Sequence, residues 1–280
     1  MNRTMLTATN TLSQLQKQMD VISHNIANVD TTGYKAQKAT FTDLLVQQFN
    51  NQRHAASEVG RLTPNGIRQG TGARLSQIQM VMAQGSIKQT DRELDLAFTK
   101  EGQFFRIEVP NDAGTEIQYT RDGAFYLSPT PDNDMMLVTS NGNSVLDENN
   151  NRIIITGQPK EYQINENGQI TVLMENGISE TYYLGVTQID KPQFLERKGG
   201  NLLGLPNNFA ELNVDVEDIL TDLEGLDRNL ISMRQKALEQ SNVDLSQEMT
   251  DLMQVQRSYQ FQSRSINLAD QMMGLINGIR

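Results

Sequence analysis

Apolar residues recur at intervals of seven near the start of the chain. Met5, Leu12, Met19 and Ile26 form one row, and Ala8, Leu15, Ile22 and Val29 a second, three residues further on. Two such rows make the seam of a coiled-coil-type helix, with Asn, Thr, Gln, Ser, Lys and Asp on the remaining surface. A helix over residues 4–29 is about 39 Å long, and a single apolar stripe leaves it marginal in water, so it requires a partner. The other end of the chain supplies a candidate. From Leu245 the same row returns as Leu245, Leu252, Tyr259, Ile266 and Met273, flanked by Met249, Val255, Ala269, Met272 and Ile276.

Between these ends the pattern changes. Asp30-Thr31-Thr32-Gly33 reads as a helix stop. Residues 39–49 carry Phe41, Leu44, Leu45 and Phe49 at helical spacing and predict a second, short helix. Residues 50–72 are polar and Gly-rich without a period, which predicts an irregular arm, followed by extended pieces near 74–81. From residue 91 short strand-like runs follow at 94–98, 103–109, 117–119, 124–128, 135–139, 152–156, 169–174 and 182–189. Turn signals at Asp122-Gly123, Asn141-Gly142, Asn167-Gly168 and Asn176-Gly177 punctuate them, which is the mark of antiparallel β structure. Residues 191–209 read as loop. Residues 214–240 again show helical spacing through Val216, Ile219, Leu220, Leu223, Leu226, Leu230, Met233 and Leu238, with Gly225 as a weak point. Asn242 or Asp244 then offers a cap for the last helix, with Glu248 in its first turns.

The expected fold is α+β. Long N- and C-terminal helices pair as a coiled-coil-like unit, and a mainly antiparallel β domain is inserted between them. The expected division is 1–49 helical, 50–90 arm, 91–205 β domain and 206–280 helical, the last pairing with 1–33.

Composition narrows the function classes. With no Cys among 280 residues, disulfides and thiolate metal sites are excluded. A formal charge of −10 disfavours non-specific binding to nucleic acid or anionic membrane. No apolar run approaches the 18 or so residues of a membrane span, and the N-terminal stretch lacks the pattern of a general secretory signal. Catalytic candidates are thin. Asp91, Glu93 and Asp95 alternate as a carboxylate site would, but charges where a strand begins are ordinarily solvated. Asp147, Asn149 and Asn151 resemble the opening of a calcium loop, yet Arg152 stands where that loop needs Gly. His24 and His54 are 30 residues apart, and no phosphate loop, nucleophile elbow or paired-His zinc motif occurs. The expectation is a non-enzyme with no catalytic, cofactor or metal residues.

Several motifs occur in an order that resembles the bacterial flagellar rod, hook and hook-associated axial family. The N-terminal part holds Asn25-Ile-Ala-Asn28 and Thr32-Gly-Tyr-Lys35. The middle holds residues 64–72 (PNGIRQGTG), Gln84-Gly-Ser-Ile87, Leu94-Asp-Leu-Ala97, Glu101-Gly-Gln-Phe-Phe105 and Tyr119-Thr-Arg-Asp-Gly-Ala-Phe125. Residues 241–249 (SNVDLSQEM) and Gln254-Val-Gln-Arg-Ser-Tyr259 complete it. Within the family the middle motifs and length look most like the distal-rod type, with the proximal rod or a rod–hook junction protein as alternatives. A soluble coiled-coil adaptor is a further alternative from another class.

The resemblance implies a structural subunit that polymerises helically with itself into the hollow drive shaft. Its partners would be other rod and hook proteins and the flagellar type III export apparatus, and its location the basal body, beyond the cytoplasmic membrane. No nucleic acid, small-molecule substrate or cofactor is implied. Carried onto this chain, Asn25, Asn28, Thr32, Gly33 and Tyr34 would shape the exit from the first helix. Asn242, Val243, Gln256, Arg257 and Tyr259 would belong to the matching C-terminal part. Gly102, Phe104, Phe105, Arg121, Asp122, Gly123 and Phe125 would set the β core and a hairpin turn. The assembly seam would comprise Met5, Leu12, Leu15, Met19, Ile22 and Ile26 with Leu245, Leu252, Tyr259, Ile266 and Met273. The helical reading of 214–240 departs from the family, whose link before the last helix is extended.

Overall fold

The structure, a computed structural model, describes residues 2–43, 47–49, 67–69, 73–111, 114–132, 134–157, 159–175, 177–206 and 215–278. Two helices bracket the chain, α1 (Asn2–Ala27) and α2 (Leu245–Gly278). The early strands are β1 (Gln37–Asp43), β2 (Gln47–Phe49), β3 (Ile67–Gln69) and β4 (Ala73–Met80). Then come β5 (Ile87–Gln89), β6 (Leu96–Phe98), β7 (Gln103–Asn111), β8 (Gly114–Thr120), β9 (Phe125–Pro129) and β10 (Met135–Thr139). The next are β11 (Ser144–Val145), β12 (Ile154–Ile155), β13 (Pro159–Ile164), β14 (Gln169–Met174), β15 (Ser179–Tyr183) and β16 (Val186–Ile189). The last are β17 (Glu196–Gly199), β18 (Leu202–Gly204), β19 (Leu220–Asp222), β20 (Met233–Gln235) and β21 (Ala237–Glu239). No helix among the described residues is long and apolar enough to cross a membrane.

The chain divides into two compact units. One comprises residues 1–26, 37–79 and 245–280, and the other 27–36 and 80–244. In the first, α1 and α2 pack together, as their heptad rows predict. β1 pairs β4, β2 pairs β3, and the Gln14 side chain of α1 accepts a hydrogen bond from the Leu75 amide at 2.8 Å. Only Ala8, Val21, Ile22 and Val255 are fully buried apolar residues in this unit, among those described.

The second unit is an antiparallel β structure, as expected. Its main sheet runs β12-β10-β11-β7-β8-β18-β17, with β16 joining β7 to β19 and β9 beside β10. A three-stranded sheet β13-β14-β15 and two ribbons, β20-β6 and β21-β5, complete it. Successive side chains of a strand point to opposite faces, and β7 is buried on both. Phe105 and Ile107 enter one cluster with Leu96, Phe98, Phe125, Leu137 and Val186, whereas Phe104 enters a second with Tyr119, Ile189, Leu203, Ile219 and Leu220. The Phe105 ring lies 4.3 Å from Phe98 and 4.9 Å, edge-on, from Phe125.

Four local expectations are corrected. Residues 39–49 are strand wherever they are described, in β1 and β2, not helix. Their β-branched and aromatic content, Thr40-Phe41-Thr42, suits a pleated strand, and β4 offers it a partner. Residues 215–240 contain no α-helix. They fold as 3₁₀ turns at Val216–Asp218 and Gly225–Leu230 between β19, β20 and β21. The apolar residues spaced three and four apart serve separate contacts: Ile219 and Leu220 fill one core cluster, Leu223, Ile231 and Met233 the other, and Leu226 stands exposed. Residues 191–209 are not simply loop, since β17 and β18 pair there around Gly199-Gly200. Asp122-Gly123 is not a hairpin turn either: β8 pairs with β7 and β18, and β9 pairs with β10. The turns at Asn141-Gly142 and Asn167-Gly168 do join paired strands. Most of the 50–72 arm, the 64–66 and 70–72 parts of its motif and Asn176 lie outside the described residues.

Candidate functional site

Two features of this chain collect the residues singled out from sequence: the faces of the terminal helices, and a buried cluster where the segments next to those helices meet.

On α1, Ile22 is buried and Met5, Leu12, Leu15, Met19 and Ile26 are half-buried. On α2, Leu252, Tyr259, Ile266 and Met273 are half-buried, while Leu245 is exposed. A second apolar row runs along α2. Phe261, Leu268 and Leu275 repeat at seven-residue spacing and are 67%, 59% and 70% exposed. They stand two residues out of step with Tyr259, Ile266 and Met273, which places them about 160° away around a helix of 3.6 residues per turn. Thus α2 carries apolar stripes on opposite faces, and the single chain leaves one of them open to solvent. Met272 and Ile276, expected to flank the seam, are also exposed.

Asn25 of α1 is buried, and both ends of its amide are used. Its Oδ1 accepts from the Gln37 amide at 2.9 Å, and its Nδ2 donates to the Gln37 carbonyl at 2.8 Å and to Glu248 of α2 at 2.8 Å. No other uncharged side chain of that length offers both a donor and an acceptor to one peptide unit. Asn28 ends the helix, where its carbonyl and side-chain oxygens accept from the Thr31 amide and hydroxyl.

The second feature is a latch built from residues 31–36, 81–85, 121–123 and 237–242. Gly33 turns the chain at φ +65° and donates its amide to the Glu239 carbonyl at 2.8 Å. A Cβ at Gly33 would stand 2.5 Å from the Arg121 carbonyl carbon, so only glycine fits. Gly123 is equally constrained, because a Cβ there would meet the Leu96 carbonyl oxygen at 1.9 Å. Thr32 donates its hydroxyl to Asp122 at 2.8 Å, and Asn201 donates to the Thr32 carbonyl. Tyr34 is buried with the Arg197 guanidinium 4.5 Å from its ring centre, and Arg197 also donates to the Lys35 carbonyl.

At the centre lies Glu239, whose carboxylate receives Lys35 Nζ at 2.8 Å on one oxygen and Arg121 Nε at 2.6 Å on the other. The side chains of Lys35, Arg121 and Glu239 are all at most 3% exposed. Arg121 spends its remaining donors on the Gln103 and Lys100 carbonyls, at 2.5 and 2.6 Å, and Lys35 also reaches the Ala83 carbonyl at 2.8 Å. The Gly85 amide donates to Glu239 at 2.9 Å. Asn242 does not cap α2. It accepts from the Ala36 amide at 2.7 Å and donates to the Val81 and Ala83 carbonyls. Between β20 and β21, Lys236 takes φ +57°, and this kink turns the chain from pairing with β6 to pairing with β5, just before Glu239.

Burial and the neighbouring Arg121 charge push the Lys35 ammonium below its ordinary value, against the pull of Glu239. Burial also lowers Arg121. For Glu239 burial acts upward, but the charges and hydrogen bonds of Arg121 and Lys35 outweigh it and hold the carboxyl below its usual range. Burial raises Asp122, against the hydrogen bonds it accepts from Thr32 and Ala124.

The arrangement holds chain segments together and leaves little room for a ligand. The cavity bordered by Gly33, Lys35, Phe104 and Arg197 amounts to about 10 Å³, space for one water. Among the described residues no three His, Asp or Glu side chains converge as metal ligands. The alternating acids separate: Glu93 accepts from the Tyr162 amide, Asp95 is buried against Arg92, and Asp91 is exposed. Asp147 spends one oxygen on the Asn149 and Asn151 amides of its own loop.

Sequence reasoning named Thr32, Gly33 and Tyr34 for the exit from the first helix and Arg121, Asp122 and Gly123 for the β core, without bringing the two groups together, and it missed Glu239, Arg197 and Asn201. Glu239 was hidden by the helical reading of 214–240. Its one visible signal was an acidic residue three positions before an Asn already attached to a motif.

Comparison with known proteins agrees with the geometry. Residues 5–35 match the model of the flagella basal body rod protein family, 101–172 the flagellar hook protein FlgE/F/G D1 domain, and 234–279 the flagellar basal body rod FlgEFG protein C-terminal family. Lys35, Arg121 and Glu239 come one from each matched segment. The chain is 45% identical to the flagellar hook-basal body complex protein FlhP of Bacillus subtilis, over the full length of both. It is 33% identical to the flagellar basal-body rod protein FlgG of Borreliella burgdorferi, over all of this chain and 99% of that one. It is 32% identical to FlgG of Buchnera aphidicola subsp. Schizaphis graminum, over 94% of each. The chain belongs to the flagellar basal-body rod and hook family, as an axial structural subunit.

Proposed function

We propose that this chain is a rod subunit of the distal type, polymerising helically into the hollow shaft between motor and hook. The observation that carries the reading is the open stripe Phe261, Leu268 and Leu275 on α2, opposite the seam toward α1. A helix with two apolar faces needs two neighbours, and one chain supplies one. Covering three such side chains is worth roughly 1.5–3 kcal/mol apiece, and a heterologous contact between identical chains that does not close into a ring builds a filament. The partners in this reading are further copies, other rod and hook proteins, and the flagellar type III apparatus that exports the chain beyond the cytoplasmic membrane.

The distal assignment draws on the FlgG relatives, each named a basal-body rod protein. Within Bacillus subtilis, however, the chain shares 45% identity with FlhP and 29% with FlgG, over 100% and 98% of its length. The higher identity to FlhP, named a hook-basal body complex protein, keeps a proximal or rod–hook junction position as the alternative to the distal one. Electron microscopy of the purified protein, and of basal bodies labelled through it, tests both polymerisation and position. Replacing Leu15 and Ile22 together by Asp should abolish assembly and motility while the β unit stays folded. Normal swimming in that double variant would exclude the seam as the assembly element.

A further inference from the structure

Two cations in the latch share one carboxylate. Glu239 stands between Lys35, from the segment that follows α1, and Arg121, from the β8–β9 connection, and it lies six residues before α2 begins. Arg121 needs nothing from the N-terminal segment, since Glu239, Gln103 and Lys100 satisfy it from within residues 80–244. Lys35 adds a second buried cation to the same anion. Without Glu239 it would face Arg121 with two carbonyl oxygens, those of Ala83 and Met82, and the pull of the exposed Glu101. Burying one unpaired charge is costly, and burying two of like sign is worse.

We propose that Glu239 is the positioning residue that locks the segment leaving α1 to the segment approaching α2 through one buried carboxylate. Its backbone takes part as well, because its carbonyl accepts from Gly33, and the contact continues through Ala36 to Asn242. The inference rests on the polymer reading for its purpose, since only an assembling subunit needs its terminal helices to start from fixed points. The latch itself is independent of that reading and can be measured in the monomer.

The experiment uses the full chain with Glu239→Gln, Lys35→Met and the double variant, followed by amide hydrogen exchange. Glu239→Gln keeps the shape and removes the anion. The amides of Gly33, Ala36 and Val81 should then exchange at least about tenfold faster, while those of Ile107 and Val109 in the β7–β8 ladder stay close to wild type. In the double variant one of the two stranded cations is gone, so exchange at Gly33 and Ala36 should be slower than in Glu239→Gln alone. The same Glu239→Gln protein should fail to polymerise under conditions where wild type does.

A uniform rise in exchange across the ladder, or additive effects in the double variant, would reduce Glu239 to an ordinary packing residue and overturn the proposal. So would wild-type polymerisation by Glu239→Gln. If wild type itself forms no polymer, the proposed function falls, and the exchange pattern alone decides the latch.

Discussion

Gly33 and Asp122 sit against one another in the latch, yet they place opposite demands on it. Gly33 holds φ +65° with the Arg121 and Asp122 backbone where a Cβ would go. A left-handed conformation costs an L residue about 1–2 kcal/mol, and a clash with backbone atoms adds to it because neither side can rotate away. Gly33→Ala should therefore lower the thermal midpoint by much more than an ordinary surface change, and an unchanged melting curve would contradict the fit. Asp122 is a cost at neutral pH. Its folded pKa is raised by burial, so its stabilising contribution is present below the unfolded pKa and is lost as pH rises through the folded one. Asp122→Asn keeps an oxygen to accept from Thr32 and Ala124 and removes the charge. It should raise the denaturant midpoint at pH 7, and the gain should shrink on acidification toward the carboxylate range; a loss at pH 7 would refute this sign. Glu239 has the reverse sign. Its pKa is depressed, so its contribution is present above the ordinary carboxylate value and lost as pH falls through the depressed one.

Among the secondary elements, α2 is the one whose sequence pattern and structure must be read together. The seven-residue row from Leu245 to Met273 was visible as a seam, and four of its five members are half-buried. The second row, Phe261, Leu268 and Leu275, has the same seven-residue spacing, so spacing alone does not say which row is covered. Exposure in the folded chain separates the two. Replacing Phe261 and Leu268 by Ser should leave the monomer's stability within about 0.5 kcal/mol, since exposed side chains contribute little to folding, and should still stop polymer growth. Growth at the wild-type rate would assign the stripe to solvent. The strands teach a converse lesson. β10 (Met135–Thr139) and β14 (Gln169–Met174) coincide with the runs seen in sequence, where both alternation and flanking turns were clear. The 214–240 stretch reads as helix in sequence because a 3.6-residue period and a succession of 3₁₀ turns and three-residue strands can place apolar residues at the same intervals.

For the whole molecule, the distribution of buried apolar side chains predicts how stability is shared. Eighteen buried residues make up the main cluster of the β unit, whereas the helix-bearing unit fully buries four apolar side chains among its described residues. In dilute solution the amides of α1 and α2 should exchange much faster than those of β7 and β8, and they should become protected on polymerisation. Well-protected helices in a chain that never assembles would favour a monomeric adaptor instead. This asymmetry agrees with the proposed function, in which the chain is exported and its ends order against neighbouring subunits. Sequence alone determined the two terminal helices, the antiparallel character of the middle and the family, because periodicity, turn chemistry and short motifs are local properties written in consecutive residues. Only the tertiary structure decided that Lys35, Arg121 and Glu239 share one buried site, and that one face of α2 remains open. Charges 86 and 204 positions away from Lys35 become neighbours only through strand pairing, and whether an apolar side chain is covered depends on what packs above it.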